Sequence, residues 1–474
     1  MPAGGTTVSL DRTPRNIIVI VADDLGFGDL GRWNFGATST PAIDRLAAEG
    51  SCLSQHYSGS PVCAPARAAM LTGRYPHRTG SLDTIEVYGH DRLFLREKTV
   101  ANLFKDAGWQ TGLIGKWHNG AFDQRYWPTA RGFDDFFGFC GGWQDYYNYR
   151  IQMNGTPVGP DGSYLTARLS DEAIKFVDRN RNNRFFLWLA YNAPHAPFQA
   201  PEATVNHYIE RGFDLGVATI YAMVEEMDRG IERLVTHLND IRKLDDTLIL
   251  FTSDNGPQFG GEGKWTTRRF NCGFAGHKGL TFEGGVRTPA ILHWPEGIAA
   301  GTLCHDLAHA TDWLPTFADL TNIPLARPTE LDGVSLVPSL FGEYRTNYPA
   351  RFWQWNRFSP VWGCNAAMRD GDWKLVVPAV RNYLEITPED LTNDRDAKKR
   401  QLTSEIVERL PDDRGDPEMA NPLLFNLAKD PFETEELSGQ HPDRVSRMLE
   451  ELETWYRRVV AEYENGRADE TSTP

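Results

Sequence analysis

Five short apolar runs constrain this chain more than any other feature: residues 16–22 (NIIVIVA), 110–115 (QTGLIG), 185–190 (FFLWLA), 247–253 (TLILFTS) and 289–294 (PAILHW). Each is continuous rather than alternating, as expected of strands covered on both faces. Helical patterns lie between them. Residues 40–50 open on Thr-Pro and close on Gly, a start and stop pair. Residues 218–238 carry Ile220, Met223, Val224, Met227, Ile231, Leu234 and Val235 at helical spacing. Strands alternating with helices predict an α/β fold around a central, largely parallel sheet.

The pattern changes near residue 335. Residues 364–377 (CNAAMRDGDWKLVV) read as a hairpin with Asp-Gly at its turn, and residues 423–427 as another short strand. One helix over 441–463 follows, with a stripe through Val445, Met448, Leu452, Trp455, Val459 and Tyr463. The expected division is a catalytic α/β domain over 1–335 and a smaller C-terminal α+β subdomain over 336–474, an antiparallel sheet with a helix. A length of 474 residues agrees with two to three domains. Residues 1–13 and 465–474 are expected to be loose ends.

A net charge of −15 argues against general binding of nucleic acid or acidic membranes. It also means that a site for anions must concentrate its own positive charge. No apolar run is long enough to cross a membrane, and the first residues lack the apolar core of a secretory signal. The expected location is therefore cytoplasmic, or periplasmic or secreted if a signal has been removed. The pattern carries no signal for oligomeric state. Fourteen Trp is a large number, and some are expected on a binding surface besides those in the core. The six cysteines, at 52, 63, 140, 272, 304 and 364, form no CxxC pair and read as reduced thiols.

The residues just past the strands carry chemistry. Asp23-Asp24 come after the first run, Lys116-Trp117-His118 after the second, Tyr191 to Pro197 with His195 after the third, and Asp254-Asn255-Gly256 after the fourth. Ligands of open α/β sheets bind outside the carboxyl ends of the strands, so these residues are expected at one edge. Asp23, Asp24, Asp254 and Asn255 offer oxygen only, which selects a hard cation, Ca²⁺ ahead of Mg²⁺; the alternative is that Asp24 or Asp254 caps a helix. Cys63 stands just before a helix start, with Pro65 in its first turn, Gly73 at its end and Arg67 one turn along the same face. Such a terminus favours anions. A buried structural thiol or a plain thiolate nucleophile remain alternatives for Cys63.

Cys63-Ala64-Pro65-Ala66-Arg67 with Leu71-Thr72-Gly73 resembles the signature of the type I, formylglycine-dependent sulfatases, arylsulfatase-like members of the alkaline phosphatase superfamily. The likeness extends through Asp23-Asp24, Gly115 to His118, Pro194 to Pro197, Thr252 to Gly256, Lys278 to Arg287 and Leu424 to Pro431. It implies a three-layer α/β/α sandwich of the alkaline phosphatase type, and oxidation of Cys63 to formylglycine (3-oxoalanine) by a formylglycine-generating enzyme. It implies Ca²⁺ held by Asp23, Asp24, Asp254 and Asn255, with residue 63 completing the shell. One hydroxyl of the aldehyde hydrate at 63 would attack sulfur, and the other would later expel sulfate. Arg67 would steady the hydrate, Lys116 and Lys278 would bind sulfate oxygens, His118 would take the proton that releases sulfate, and His195 would protonate the departing alcohol. Asn119 departs from the family, where Leu is common after Trp-His.

The activity implied is hydrolysis of a sulfate ester, small or oligosaccharide. A sulfated carbohydrate is the preferred substrate and an aryl sulfate the test substrate; the alternative is a phosphodiesterase or phosphonate monoester hydrolase using the same site. Trp143 and Tyr146, with neighbouring Tyr147, and Trp265, Arg268 and Arg269 are the expected substrate contacts, the Arg pair for a second anion. His277 is an accessory donor beside Lys278. His56, His77 and His293 are expected to be structural.

Overall fold

The computed structural model describes residues 12–325, 330–342, 348–399, 415 and 417–472. Ten strands form the main sheet, in the order Thr302–Cys304, Ser51–Leu53, Ala290–His293, Thr247–Ser253, Asn16–Ala22, Phe185–Ala190, Gln110–Lys116, Asp135–Phe139, Ile151–Met153 and Thr156–Val158. The five strands from Thr247–Ser253 to Asp135–Phe139 are mutually parallel. The fifth predicted strand, Ala290–His293, runs antiparallel to Thr247–Ser253. Asn16–Ala22 lies inside the parallel block, between Thr247–Ser253 and Phe185–Ala190, and all seven of its residues are buried.

Both faces of this sheet are covered, which explains the unbroken apolar runs. Ile17, Val19 and Val21 face one core, which takes Ala68 and Met70, Val100 and Phe104, and Trp313 and Phe317 from the helices Cys63–Thr72, Val100–Asp106 and Trp313–Thr321. Ile18, Ile20 and Ala22 face the other, filled from the helices Pro41–Glu49, Leu165–Asn180 and Leu215–Asp240. The result is a three-layer α/β/α sandwich. Thr40 precedes the first of these helices as predicted but does not cap it. Asp228, from Leu215–Asp240, accepts the N–H groups of Ala42 and Ile43 at 3.1 and 2.8 Å instead. A tertiary partner thus meets the exposed donors of the first turn, and burial pushes the Asp228 carboxyl up to about 7.

A second, antiparallel sheet orders the strands Arg351–Gln354, Ala366–Asp370, Trp373–Val377 and Leu423–Asn426. The predicted hairpin pairs Asp370 with Trp373 across Gly371-Asp372, where Gly371 takes φ 57°. One face of the sheet packs on Met448, Leu452, Trp455 and Val459 of the final helix, Pro442–Ser472. The other packs on Tyr57, Val286 and Leu307 of the main body. The final helix runs past the predicted end, so residues 465–472 are not a loose end: Glu470 accepts hydrogen bonds from the Tyr126 hydroxyl and the Leu95 amide. Residues 1–11 and 473–474 of the predicted tails lie outside the described residues.

A buried charge network joins the two sheets. Lys374 Nζ lies 2.9 Å from Glu283 Oε1 and 3.0 Å from Glu433 Oε1, with all three side chains fully buried. Burial alone would raise both acids. Lys374, Arg287 and Arg369 hold Glu283 down at about 2, while burial prevails at Glu433 and pushes it up to about 7. Removing the shared cation strands two carboxylates away from water. Lys374→Met is expected to cost about 3–5 kcal/mol, read as a lower urea midpoint, and adding Glu433→Gln should recover part of that loss.

Candidate active site

Strand register decides where the chemistry collects. Ala22 pairs with Ser253, and Val21 and Gly115 both pair with Ala190. The next residues along each strand, Asp23, Asp254, Tyr191 and Lys116, therefore leave the sheet at one edge. Asp24 and His118 sit there at φ 65° and 54°, in the left-handed region that non-glycine residues seldom adopt. Strained backbone of this kind concentrates at functional sites.

The charges pair closely. Lys116 Nζ donates to Asp23 Oδ2 at 2.7 Å, and Lys278 Nζ to Asp24 Oδ2 at 2.8 Å. Arg67 Nε and Nη2 lie 2.9 and 2.8 Å from Asp254 Oδ2. The Asn255 amide donates to Asp24 Oδ1 at 2.8 Å. All but Lys278 are almost fully buried. Burial raises the Asp23 carboxyl, and the paired Lys116 opposes it. At Asp24 burial acts in the same direction but loses to Lys278 and His195, which hold the carboxyl well below its ordinary value.

Cys63 opens a helix, Cys63–Thr72, whose ten residues are all buried, with Val62 extended before it and Gly73 left-handed after it. Its sulfur and one oxygen each of Asp23 and Asp254 lie within 4.8 Å of one another. Burial raises the Cys63 thiol, and the neighbouring lysines only partly oppose this. An unmodified Cys63 is thus a poor thiolate nucleophile. Asp23 Oδ1 and Asn255 Oδ1 are buried oxygens that receive no hydrogen bond. Unmet acceptors among oxygen donors fit a hard cation.

Two histidines flank this cluster. His195 Nδ1 is 2.5 Å from the Ala196 carbonyl, so it carries the hydrogen and leaves Nε2 facing Asp24 Oδ2 at 3.8 Å. Burial and Lys278 push His195 down to about 3. His118 Nε2 is 3.2 Å from the Thr84 carbonyl and 3.9 Å from Glu86 Oε1. Gly142 passes directly over this ring: a Cβ there would sit 2.5 Å from Cε1.

A cavity of about 530 Å³ opens over these groups, lined by Cys63, His118, His195 and Lys278. Trp143 and His277, two of the predicted substrate contacts, line it as well. The other five are not among its lining residues, and Tyr147 packs on Tyr164 instead. Tyr146 is fully buried, its hydroxyl 2.6 and 2.9 Å from the carbonyls of Asn192 and His195, so it positions the His195 loop. Arg269 pairs with Asp29 and is already neutralised. Trp265 and Arg268 are exposed, outside the cavity wall. Trp355, Arg357, Leu391 and Asp394 line the cavity without having been foreseen. They come from a part of the chain far from every motif, and no local pattern marks them. His56, His77 and His293 are buried away from the cavity lining; His56 accepts from Trp313 Nε1 at 3.0 Å, and burial pushes it down to about 4.

Asn119 gains a role. Its amide donates toward the Ala64 carbonyl at 2.9 Å, the Ser81 hydroxyl at 3.1 Å and the Asp91 carbonyl at 3.3 Å. It thereby fastens the first turn of the Cys63 helix to the strand end that carries Lys116 and His118. Asn119→Leu keeps the branching and heavy-atom count, adds bulk at a buried position and removes the donor. It is expected to lower kcat by about 10- to 100-fold through displacement of residue 63, and to lower stability by about 1–3 kcal/mol, read by steady-state kinetics and urea unfolding.

Comparison with known proteins agrees with this geometry. The sulfatase family model matches residues 15–323, and a model for the C-terminal part of N-sulphoglucosamine sulphohydrolase matches residues 274–410. N-acetylgalactosamine-6-sulfatase of Sus scrofa is 33% identical over 410 residues, covering 75% of each chain. Arylsulfatase A of Homo sapiens is 32% identical over 472 residues, covering 93% of this chain and 86% of its own. The crystal structure of Ps i-CgsB in complex with k-i-k-neocarrahexaose superimposes with a TM-score of 0.77 at 29% identity, covering 98% of this chain and all of the other.

Proposed function

Because this chain belongs to the sulfatase family and is a sulfuric ester hydrolase, we propose that it releases sulfate from a sulfated carbohydrate through a nucleophile made at residue 63. The observation that carries this reading is the position of Cys63, at the floor of the cavity and within 4.8 Å of the oxygens of Asp23 and Asp254. The carbohydrate preference is supported by the relatives: one is an N-acetylgalactosamine-6-sulfatase, and another is a structure bound to an oligosaccharide.

Two groups complete the site. Oxidised to formylglycine by a formylglycine-generating enzyme, residue 63 would supply a hydrated aldehyde, an oxygen nucleophile that can also shed sulfate afterwards. Asp23, Asp24, Asp254 and Asn255 would hold Ca²⁺, which supplies charge stabilisation to the sulfate oxygens.

The remaining work belongs to the chain's own side chains. Three acids and three bases balance in the cluster, so Lys116 and Lys278 are held by Asp23 and Asp24 rather than by solvent. Lys116 and Lys278 meet the nonbridging oxygens, where charge grows in the transition state. Arg67, fixed on Asp254, orients residue 63 from one helical turn away. His195 is neutral in the free protein because of burial and Lys278. A bound sulfate ester offsets Lys278, so His195 takes up its proton together with the substrate and delivers it from Nε2 to the departing oxygen. His118, oriented through Nε2 by the Thr84 carbonyl, accepts the proton as sulfate is released.

The test is release of sulfate from an aryl sulfate, with the residue-63 peptide weighed by mass spectrometry. Wild type carrying formylglycine should turn over, and Cys63→Ala should lose at least about 1000-fold. A matched aryl phosphate turned over faster than the sulfate would instead favour the phosphoester alternative. Chelation should abolish turnover and Ca²⁺ restore it. Ca²⁺ should also stabilise the wild type by about 2.7 kcal/mol at a hundredfold excess over Kd, read as a raised thermal midpoint, and do so far less in Asp254→Ala. An unchanged midpoint would remove the metal assignment whatever the activity.

A further inference from the structure

His195 stands beyond the end of its strand, Phe185–Ala190, so the sheet alone does not place its ring. Residues 141–149 run from His118 to the loop that bears His195. Resting on the sulfatase reading above, we propose that this segment is a strap, and that Tyr146 on it is a positioning residue for His195 that extends turnover to esters whose alcohol needs a proton in order to leave. Tyr146 is not among the cavity-lining residues, so it acts through His195 and not on the substrate.

The strap holds the loop around the histidine and again further along. The Tyr146 hydroxyl lies 2.6 Å from the Asn192 carbonyl and 2.9 Å from the His195 carbonyl. The His195 amide donates to the same Asn192 carbonyl at 2.9 Å, which closes a tight turn. One phenolic hydrogen is thus shared between the two ends of that turn. Beyond it, Gln199 Oε1 accepts from the Tyr146 amide at 2.9 Å, and Gln199 Nε2 donates to Asp145 Oδ2 at 3.0 Å. The Tyr146 ring is fully buried and stacks on Tyr164 with 5.3 Å between centroids, so its hydroxyl cannot swing away from these carbonyls. Asp145 braces the strap itself, since Oδ1 accepts from the amides of Tyr147 and Asn148 at 2.8 and 2.7 Å.

The other end of the strap is registered on His118. The Gly142 amide donates to Glu86 Oε1 at 2.6 Å. Residue 142 then lies so close to the imidazole that a Cβ would stand 2.5 Å from Cε1 and 2.7 Å from Nε2, which only glycine avoids. The position of the proton donor is therefore set from the proton acceptor, through one short piece of backbone.

The consequence falls on one step. As the ester breaks, the S–O bond to the alcohol is lost, its electron pair stays on the alcohol oxygen, and His195 Nε2 supplies that oxygen with a proton. A nitrophenolate leaves readily without the proton, a phenolate less readily, and a sugar alkoxide needs it most. Displacing a reacting group by about 1 Å costs on the order of 100-fold, and here that loss is confined to leaving groups that depend on the proton.

The experiment measures kcat and KM for para-nitrophenyl, phenyl and para-methoxyphenyl sulfates. Tyr146→Phe keeps the ring and its stacking and removes only the shared hydrogen. Its kcat is expected to fall about 30-fold or more for the phenyl and methoxyphenyl esters but about threefold for the nitrophenyl ester, with KM changed less than about twofold throughout. Gln199 is half-buried, and Gln199→Met, which removes both side-chain bonds to residues 145–146, should steepen the same dependence on the leaving group. Tyr191→Phe is the control: it also deletes a buried tyrosine hydroxyl, bonded to Ser170 Oγ at 2.7 Å, and should lower the urea midpoint without changing the ratio among the three esters. A Tyr146→Phe that slows all three esters equally, that raises KM instead of lowering kcat, or that matches Tyr191→Phe overturns the proposal. The sulfatase reading is judged separately on the wild type: with formylglycine confirmed, absence of para-nitrophenyl sulfate turnover overturns that reading and the proposal with it, whereas turnover without a changed ratio in the variants overturns the proposal alone.

Discussion

Three carboxylates and three basic side chains share one almost water-free volume at the end of the main sheet: Asp23, Asp24 and Asp254 against Arg67, Lys116 and Lys278. Stripping any one of these charges of water costs several kcal/mol, and only close pairing offsets that. The pairing in turn demands that three strand ends, the Cys63 helix and the loop that bears Lys278 meet within hydrogen-bonding distance. Much of the fold can be understood as the apparatus that holds this meeting. The parallel register ends neighbouring strands together, and the buried Cys63 helix has no freedom to shift. Tyr146 and Asn119 fasten the loops that bear His195 and His118.

The same balance explains how an acidic protein handles an anionic ester. With a net charge of −15, the surface offers no general attraction to sulfate. Positive charge is instead stored inside, each ammonium on its own carboxylate. His195 sits in the same field, where burial and Lys278 together disfavour its charged form.

The C-terminal sheet is joined to this apparatus rather than appended to it. Lys374, from its hairpin, sits between Glu283 and Glu433. Trp353 donates to the Ser58 carbonyl at 2.7 Å, and Trp355, two residues on, reaches the cavity. One part of the chain thus supplies the clustered acids and bases, and the other adds Trp355, Arg357, Ile386 and Leu391 to the cavity wall.

Much of the reacting part was legible in the sequence, because its causes are local. An unbroken apolar run can only be a strand covered on both faces, and a polar residue at the end of such a run has to leave the sheet where ligands bind. Asp23, Lys116, His195 and Asp254 could be placed at one edge on that ground alone, and the Cys63 helix from its Pro and Gly. The substrate wall was not legible in the same way. Tyr146 and Arg269 have the residue types of ligand contacts, but whether an aromatic ring or a guanidinium faces a cavity or a buried partner depends on what packs against it. In this chain an Asp29 carboxylate and two loop carbonyls take them up. The antiparallel Ala290–His293 strand, the Asp228 cap and the Trp355 wall share that character. The sequence by itself determined which acids, lysine and histidines leave the sheet at one edge, since strand and helix periodicity act over a few residues. Only the tertiary structure decided what surrounds the substrate, since that wall forms between segments more than two hundred residues apart, and their contacts leave no periodic trace in either one.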